Sequence, residues 1–174
     1  MAVAPVLTTG RLLLRGHTLA DFEPLHAMRQ DPQVYRYISG KPSTPQESWF
    51  RLLRSRGMWE LLGFGYWVVT DRASGEVLGE MGFGDFRRPM ADAPEGPENG
   101  WALTSSAHGK GLATEGLRAI MAWGDRNLAS PTTWCIVVPD HAASLRLATK
   151  LGYRETARSI DQGDEVVILQ RRRA

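Results

Sequence analysis

Apolar and polar positions switch between two periods along this chain, and the switches lay out its elements. Arg11 to Arg15 (RLLLR) is a short strand-like run bounded by Gly10 and Gly16. Behind Thr18, Phe22, Leu25 and Met28 recur at helical spacing over Leu19 to Arg29, and Asp31-Pro32 is expected to end that helix. Thr44-Pro45-Gln46-Glu47 is a capping-box pattern with proline at the first helical position. It predicts a second helix whose apolar face carries Trp49, Leu52, Leu53 and Trp59. After Gly63 the period changes. Tyr66 to Thr70 and Val77 to Phe86 read as a hairpin, Arg88 to Pro97 as an exposed loop, and Glu98 to Ser105 as a further strand. Gly111 to Asn127 is the clearest helix, with Leu112, Leu117, Ile120, Met121 and Trp123 on one face. Thr133 to Val138 is apolar and β-branched enough for a central strand. Ala142 to Leu151 is a helix closed by Gly152, and short strands at Arg154 to Ser159 and Val166 to Gln170 finish the chain.

The order is strand, two helices, three strands, helix, strand, helix, two strands. This is a mixed α/β arrangement of about seven strands and about four helices in a single domain spanning 1–174. With 43% hydrophobic and 23% charged residues the chain is ordinary globular, not disordered. No apolar run reaches the roughly 18 to 20 residues of a membrane span, and the N-terminus lacks a signal-peptide pattern. The one cysteine, Cys135, cannot form an internal disulfide and lies in an apolar run. That points to a buried structural thiol and a cytoplasmic setting. Net charge is +2, and the basic residues are dispersed apart from Arg171, Arg172 and Arg173, expected as a solvated tail. No nucleic-acid module or metal-ligand spacing is present, so neither direct nucleic-acid binding nor a metal is expected. His17 and His26 read as surface or packing residues, and the six tryptophans as mostly core.

The stretch Leu103 to Leu117 (LTSSAHGKGLATEGL) carries the first chemistry. A strand ends, a glycine-containing turn follows, and a long helix begins at once. Gly109 and Gly111 permit positive φ and close approach to a ligand. Converging amides and the helix N-terminus make an anion site suited to a pyrophosphate, to which Lys110 and Thr114 add a charge and a hydroxyl. A glycine turn that merely reverses the chain has the same look. A nucleotide P-loop is excluded because Leu112 stands where Lys is needed, and the glycine spacing does not fit a dinucleotide fingerprint. The second stretch, Val138 to Tyr153 (VPDHAASLRLATKLGY), leaves the apolar strand at the same sheet edge, with His141 and Ser144 in its first turn facing the cleft between the strands.

Together these stretches resemble the GNAT superfamily of N-acetyltransferases, in the branch similar to ribosomal-protein N-terminal acetyltransferases. The family turn, Gln/Arg-x-x-Gly-x-Gly/Ala, reads His108-Gly109-Lys110-Gly111-Leu112-Ala113, and Thr114-Glu115 fits the branch pattern GKGxATEA. The later Asn-x-x-Ser element appears as His141-Ala142-Ala143-Ser144, closing with Leu151-Gly152-Tyr153, and Thr9 to Arg15 matches the opening TxRLxLR. The resemblance covers nearly the whole chain, in family order. It implies the GNAT fold, a twisted, mostly antiparallel sheet splayed between two adjacent strands, and acetyl-CoA as co-substrate. His108, Gly109, Lys110, Gly111, Leu112, Ala113 and Thr114 would hold the CoA phosphates. His141 and Ser144 would face the pantetheine arm, and Trp101, Ala102 and Leu103 would supply open strand backbone.

Three positions depart from the family: His108 for Gln or Arg, His141 for Asn, and Ala148 where a tyrosine acid is common. Tyr153 is expected in the core. The acceptor is an amine, either a protein N-terminus or a small molecule, in a pocket from Tyr35 to Trp59 and Arg87 to Pro97. Trp49, Trp59 or Trp67 could line it. An ammonium cannot attack, so a base must take its proton; amines titrate between about 8 and about 10.4. Glu98 is the first candidate base, with Glu80 and Asp85 next, and a solvated strand-edge carboxylate is the plain alternative for Glu98. Backbone N–H on the Trp101 to Leu103 strand would stabilise the oxyanion, and Ser144 is the available donor to the departing thiolate. Ordinary helix N-terminal hydrogen bonding is the plain alternative for Ser144. Homodimers are common in the family. A CoA-binding regulatory or interaction module without turnover is the alternative class.

Overall fold

The computed structural model describes residues 3–90 and 92–173. Among them lie strands β1 (Leu7–Thr8), β2 (Leu12–Arg15), β3 (Tyr66–Asp71), β4 (Val77–Gly84), β5 (Glu98–Leu103), β6 (Thr132–Val137), β7 (Arg154–Asp161) and β8 (Asp164–Arg172). The α-helices are α1 (Phe22–Met28), α2 (Pro32–Tyr35), α3 (Pro45–Leu62), α4 (Leu112–Asn127) and α5 (Ala142–Lys150). All eight strands join one sheet in the order β1-β2-β3-β4-β5-β6-β8-β7. Every pairing is antiparallel except β5 with β6, which is parallel and registered at a single position, Glu98 opposite Trp134. Beyond that position the two strands part.

The sheet has eight strands, not seven, because β1 is too short for its periodicity to show. Thr9 folds the chain back: its N–H donates to Leu12 O and its Oγ1 accepts from Leu12 N–H at 3.0 Å. Pro32 does end α1, but it also starts α2, since a ring that cannot continue a helix fits the first position of the next. Asp31 caps that turn by accepting from Gln33 N–H at 2.8 Å. The capping box forms at α3, with Glu47 N–H on Thr44 Oγ1 and Thr44 N–H on Glu47 Oε2. On that helix Leu52 and Trp59 are buried, whereas Trp49 and Leu53 are exposed. The last two strands run longer than their apolar runs because Gln162 and Gly163, both at positive φ, make a two-residue turn that pairs them to the tip.

Of the arginines expected as a solvated tail, only Arg172 is exposed. Arg171 forms a two-point pair with Asp125 of α4, both contacts at 2.7 Å, and Arg173 donates to Asp125 O and Leu128 O. A helix C-terminus leaves carbonyls unpaired and carries partial negative charge, so cations settle there.

Helix α4 packs over β2 to β5, burying Leu117 and Ile120 completely with Leu12, Leu14, Met81 and Phe83. Gly116 and Gly124 face the sheet, where Met81 Sδ and the Phe83 ring fill the space a side chain would take. Trp59, Trp67 and Trp123 meet edge to face, with centroids 4.6 to 5.4 Å apart. Cys135 is fully buried and burial raises its thiol, which suits a packing residue. Tyr153 is core, its hydroxyl 2.9 Å from Thr133 Oγ1. On the opposite face Leu25, Met28, Val34 and Val68 form a smaller cluster.

That face also buries charge. Glu80 of β4 is paired with Arg29, which follows α1, and its Oε2 lies 3.2 Å from His17 Nε2. Burial alone would raise this carboxyl, but Arg29, His17 and Arg51 together hold it down at about 2. The folded value lies below the ordinary 4.5, so Glu80 stabilises the fold fully above that pH and progressively less as pH falls toward 2. Glu80→Gln should flatten the acid decline of unfolding free energy, read by urea titrations at a series of pH values. It should also lower stability at neutral pH by about 3–5 kcal/mol, because Arg29 is left buried and unpaired. Leu117→Ala should cost about 2–5 kcal/mol in the same assay.

Candidate active site

Between β5 and α4 the chain makes one 3₁₀ turn at residues 105–107 and then passes through Gly109 (φ 71°) and Gly111 (φ 74°). Gly111 is the N-cap of α4, with no side-chain cap. The N–H groups of residues 109–114 find no hydrogen-bond acceptor among the described residues. Helix amides left unpaired at an N-terminus want an anion, so the donor set fits a pyrophosphate. The turn is braced from the other end of the chain. Glu115 accepts from Thr9 Oγ1 (2.6 Å), Arg11 N–H (2.8 Å) and Arg11 Nε (2.7 Å), and Arg11 Nη1 donates to Lys110 O. These contacts outweigh its partial burial and hold the Glu115 carboxyl below its ordinary range. Beside the turn a hollow of about 570 Å³ is lined by Arg11, Gly111, Thr114, Arg118 and Lys150.

The parting of β5 and β6 makes the cleft. Thr104 N–H donates to Leu78 O, so alternation along this antiparallel pair turns the backbone groups of Ala102 and Gly100 toward β4. Those of Trp101 and Leu103 therefore face the gap. Of the three strand residues singled out in the sequence, Trp101 and Leu103 offer open backbone and Ala102 does not. The His108 ring donates to Leu103 O through Nε2 at 3.0 Å, so this histidine acts through its side chain as well as its backbone. Across the gap, Trp101 Nε1 donates to the buried Ser144 Oγ at 3.2 Å. His141, the N-cap of α5, stacks on Tyr37 with centroids 3.9 Å apart, and Arg36 covers the same ring. Burial, His108 and Arg36 lower the His141 pKa from the ordinary 6.5. The imidazole is therefore neutral at pH 7. Ala148 is fully buried, so nothing at that position reaches the cleft.

Glu98 is not a solvated strand-edge carboxylate. It is buried, and Arg88 grips both its oxygens, Nε to Oε2 at 2.6 Å and Nη2 to Oε1 at 2.8 Å. Arg88 Nη1 also reaches Asp161 Oδ2 at 2.5 Å, at the tip of the β7–β8 hairpin. Burial raises the Glu98 carboxyl against the pull of Arg88, and the charge of Asp161 adds to the rise. Glu80 is unsuited to accept a proton near neutrality because Arg29 and His17 keep it ionised to about pH 2. Asp85, just past the end of β4, pairs with Arg87 at 3.0 Å, and the loop that follows is not exposed throughout, since Met90 and Pro97 are buried. Trp59 and Trp67 are core rather than pocket, while Trp49 sits at the surface against Phe22.

The stretch from 35 to 59 contributes Tyr37 and that from 87 to 97 contributes Arg88. Tyr66 comes from a stretch read only as a strand, and Asp161 from the segment between the last two strands read in the sequence. For Tyr66 the available signal was the glycine spacing at Gly82, Gly84 and Gly100, which leaves a strip of one face of β4 and β5, between Glu80 and Glu98, without side chains.

Among the described residues no group of three His, Cys, Asp or Glu is placed to hold a metal, and no helix is long and apolar enough to cross a membrane. The family model for the acetyltransferase (GNAT) domain matches residues 11–154. An N-acetyltransferase of Bacillus subtilis named YoaA, itself uncharacterized, is 24% identical over 152 residues, covering 87% of this chain and 84% of that protein. A structure assigned to the GnaT-family acetyltransferases of Bordetella pertussis superposes with TM-score 0.84 at 32% identity, covering 96% of this chain and 99% of that one. RimL, a ribosomal L7/L12 α-N-protein acetyltransferase in complex with coenzyme A, shares the fold with TM-score 0.77 at 16% identity, covering 97% and 98%. A family match over most of the length and a 32%-identical fold aligned nearly end to end converge on one assignment: this chain belongs to the GNAT acetyltransferases, and is an acyl-CoA-dependent N-acetyltransferase.

Proposed function

We propose that residues 1–174 act as one catalytic domain that transfers an acetyl group from acetyl-CoA to a primary amine by direct attack within a complex of all three. The observation that carries the reading is the turn at residues 109–114, whose amides have no acceptor among the described residues and which lies between β5 and α4, beside the gap between β5 and β6. These amides, with Lys110 and Thr114, would bind the pyrophosphate. The arm of CoA would then lie along the open edge of β5, between Trp101 and Leu103 on one side and His141 and Ser144 on the other. The fixed Ser144 hydroxyl accepts from Trp101 and can still donate to sulfur.

Glu98 takes the proton of the incoming ammonium. Arg88 uses one lone pair on each carboxylate oxygen, and the others stay available. As the nitrogen–carbon bond forms, the backbone N–H of Trp101, turned toward the gap, stabilises charge on the thioester oxygen. The carbon–sulfur bond then breaks, and the thiolate, with a thiol pKa near about 8.5 by analogy with cysteine, leaves with modest need of an acid. A protein N-terminal α-amine is the favoured acceptor, since RimL, which shares the fold, is an α-N-protein acetyltransferase. A small-molecule amine is the second reading, favoured by the closure of Tyr37 over His141, which narrows the approach.

Calorimetry should show acetyl-CoA and desulfo-CoA binding to the wild type, and Gly111→Trp, which puts bulk where the amides converge, should abolish both. An intact melting transition would separate blockage from unfolding. An amine screen with thiol detection should then find turnover; binding without thiol release would favour a CoA-binding module instead. Glu98→Gln should lower kcat by about 10²–10⁴-fold. It should also remove the acid limb of the pH–rate profile, which the wild type shows as Glu98 protonates above its ordinary range.

A further inference from the structure

Tyr66, Gly82 and Gly100 occupy one cross-strand row: Tyr66 of β3 is registered with Gly82 of β4, and Gly82 with Gly100 of β5. Neighbouring strands lie about 4.8 Å apart, so a side chain on β3 normally stops above the residue next to it. Here both following positions lack a Cβ, and the phenol crosses two strands. A Cβ built on Gly100 would fall inside van der Waals contact of Tyr66 Oη. The oxygen therefore rests on the backbone of β5, two residues from Glu98 and next to Trp101, at the narrow end of the gap. Phe86, edge-on to Tyr66 with centroids 6.2 Å apart, lies over Gly84 in the same glycine strip.

The hydroxyl makes no hydrogen bond among the described residues, although the side chain is only partly exposed. A phenol held against a strand with its donor unused has no structural purpose there, since phenylalanine would pack as well. We propose that the Tyr66 hydroxyl is a second oxyanion donor, binding the thioester oxygen together with the backbone N–H of Trp101, and that Gly100 exists in this row to let it reach. The inference rests on the acetyl-transfer reading and adds a residue to it. Burial, Glu98 and Glu80 raise the phenol far above its ordinary value. Tyr66 thus stays protonated across the working range. It is too weak an acid to surrender its proton to a thiolate, but it remains a hydrogen-bond donor, which is the part an oxyanion requires.

The test compares wild type, Tyr66→Phe, Gly100→Ala and the double variant with acetyl-CoA and the best amine from the screen. Tyr66→Phe removes only an oxygen that bonds nothing, so the melting temperature and calorimetric CoA affinity should match wild type. Its kcat should fall about 10²-fold with little change in amine KM. Gly100→Ala, whose methyl displaces the hydroxyl, should lose a similar factor, and the double variant should be no worse than either. A Tyr66→Phe enzyme with wild-type kcat overturns the proposal, as does a double variant whose losses multiply. Failure of the wild type itself to acetylate any amine overturns the underlying reading, and this inference with it.

Discussion

Everything at this site depends on two strands that pair once and then let go. Glu98 opposite Trp134 is the single registered position between β5 and β6, secured by Trp134 N–H on Pro97 O at 3.2 Å. A strand edge left unpaired inside a sheet is costly, because its amides and carbonyls have lost water without gaining partners. Here the cost is partly met from a side chain, His108 donating to Leu103 O. The remaining backbone groups are the ones an amide-bearing ligand can use. Sheet continuity is traded for a binding edge, and the two helices that leave from either side of the gap bring their N-termini to it.

The other face of the sheet shows how charge is kept near the gap without disorder. Two buried carboxylates, Glu80 and Glu98, lie on the same side of β4 and β5 and have opposite fates. Glu80 is held down by Arg29 and His17 and serves the packing of α1. Glu98 is held up by burial, with Arg88 shared between it and Asp161. Environment, not residue type, separates a structural anion from a candidate base. The glycine strip between them leaves room for Tyr66 and Phe86 to lie flat over the strands.

Much of this was legible in the chain. The helix at 112–127 and the strand at 132–137 announce themselves by period and by β-branching, and the glycine turn by its spacing. Sequence also marked the Thr9–Arg15 opening, but only the structure explains it: Thr9 and Arg11 bond Glu115, more than a hundred residues away. What stayed hidden was of two kinds. Short elements such as β1 and α2 carry too few residues for a period. Long-range pairings, such as Arg171 with Asp125 and Arg88 with Glu98 and Asp161, depend on topology that local pattern cannot encode. Arg171 and Arg173 were misjudged for that reason, since nothing local reveals that β8 ends beside the C-terminus of α4.

The strand order has a consequence for how the molecule is made. Strands β1 to β5 pair with their neighbours in chain order, so this half of the sheet can close as soon as residue 103 has left the ribosome. The other half cannot. β6 is flanked by β8, which follows β7 in the chain and must slot between β6 and the already synthesised β7, so the edge of β6 waits for residues 164–172. Domains are built from the N-terminal end during translation, and non-local pairings come late. The gap between β5 and β6 is therefore also the seam between an early half and a late half. The sheet stays open at the join between its two halves.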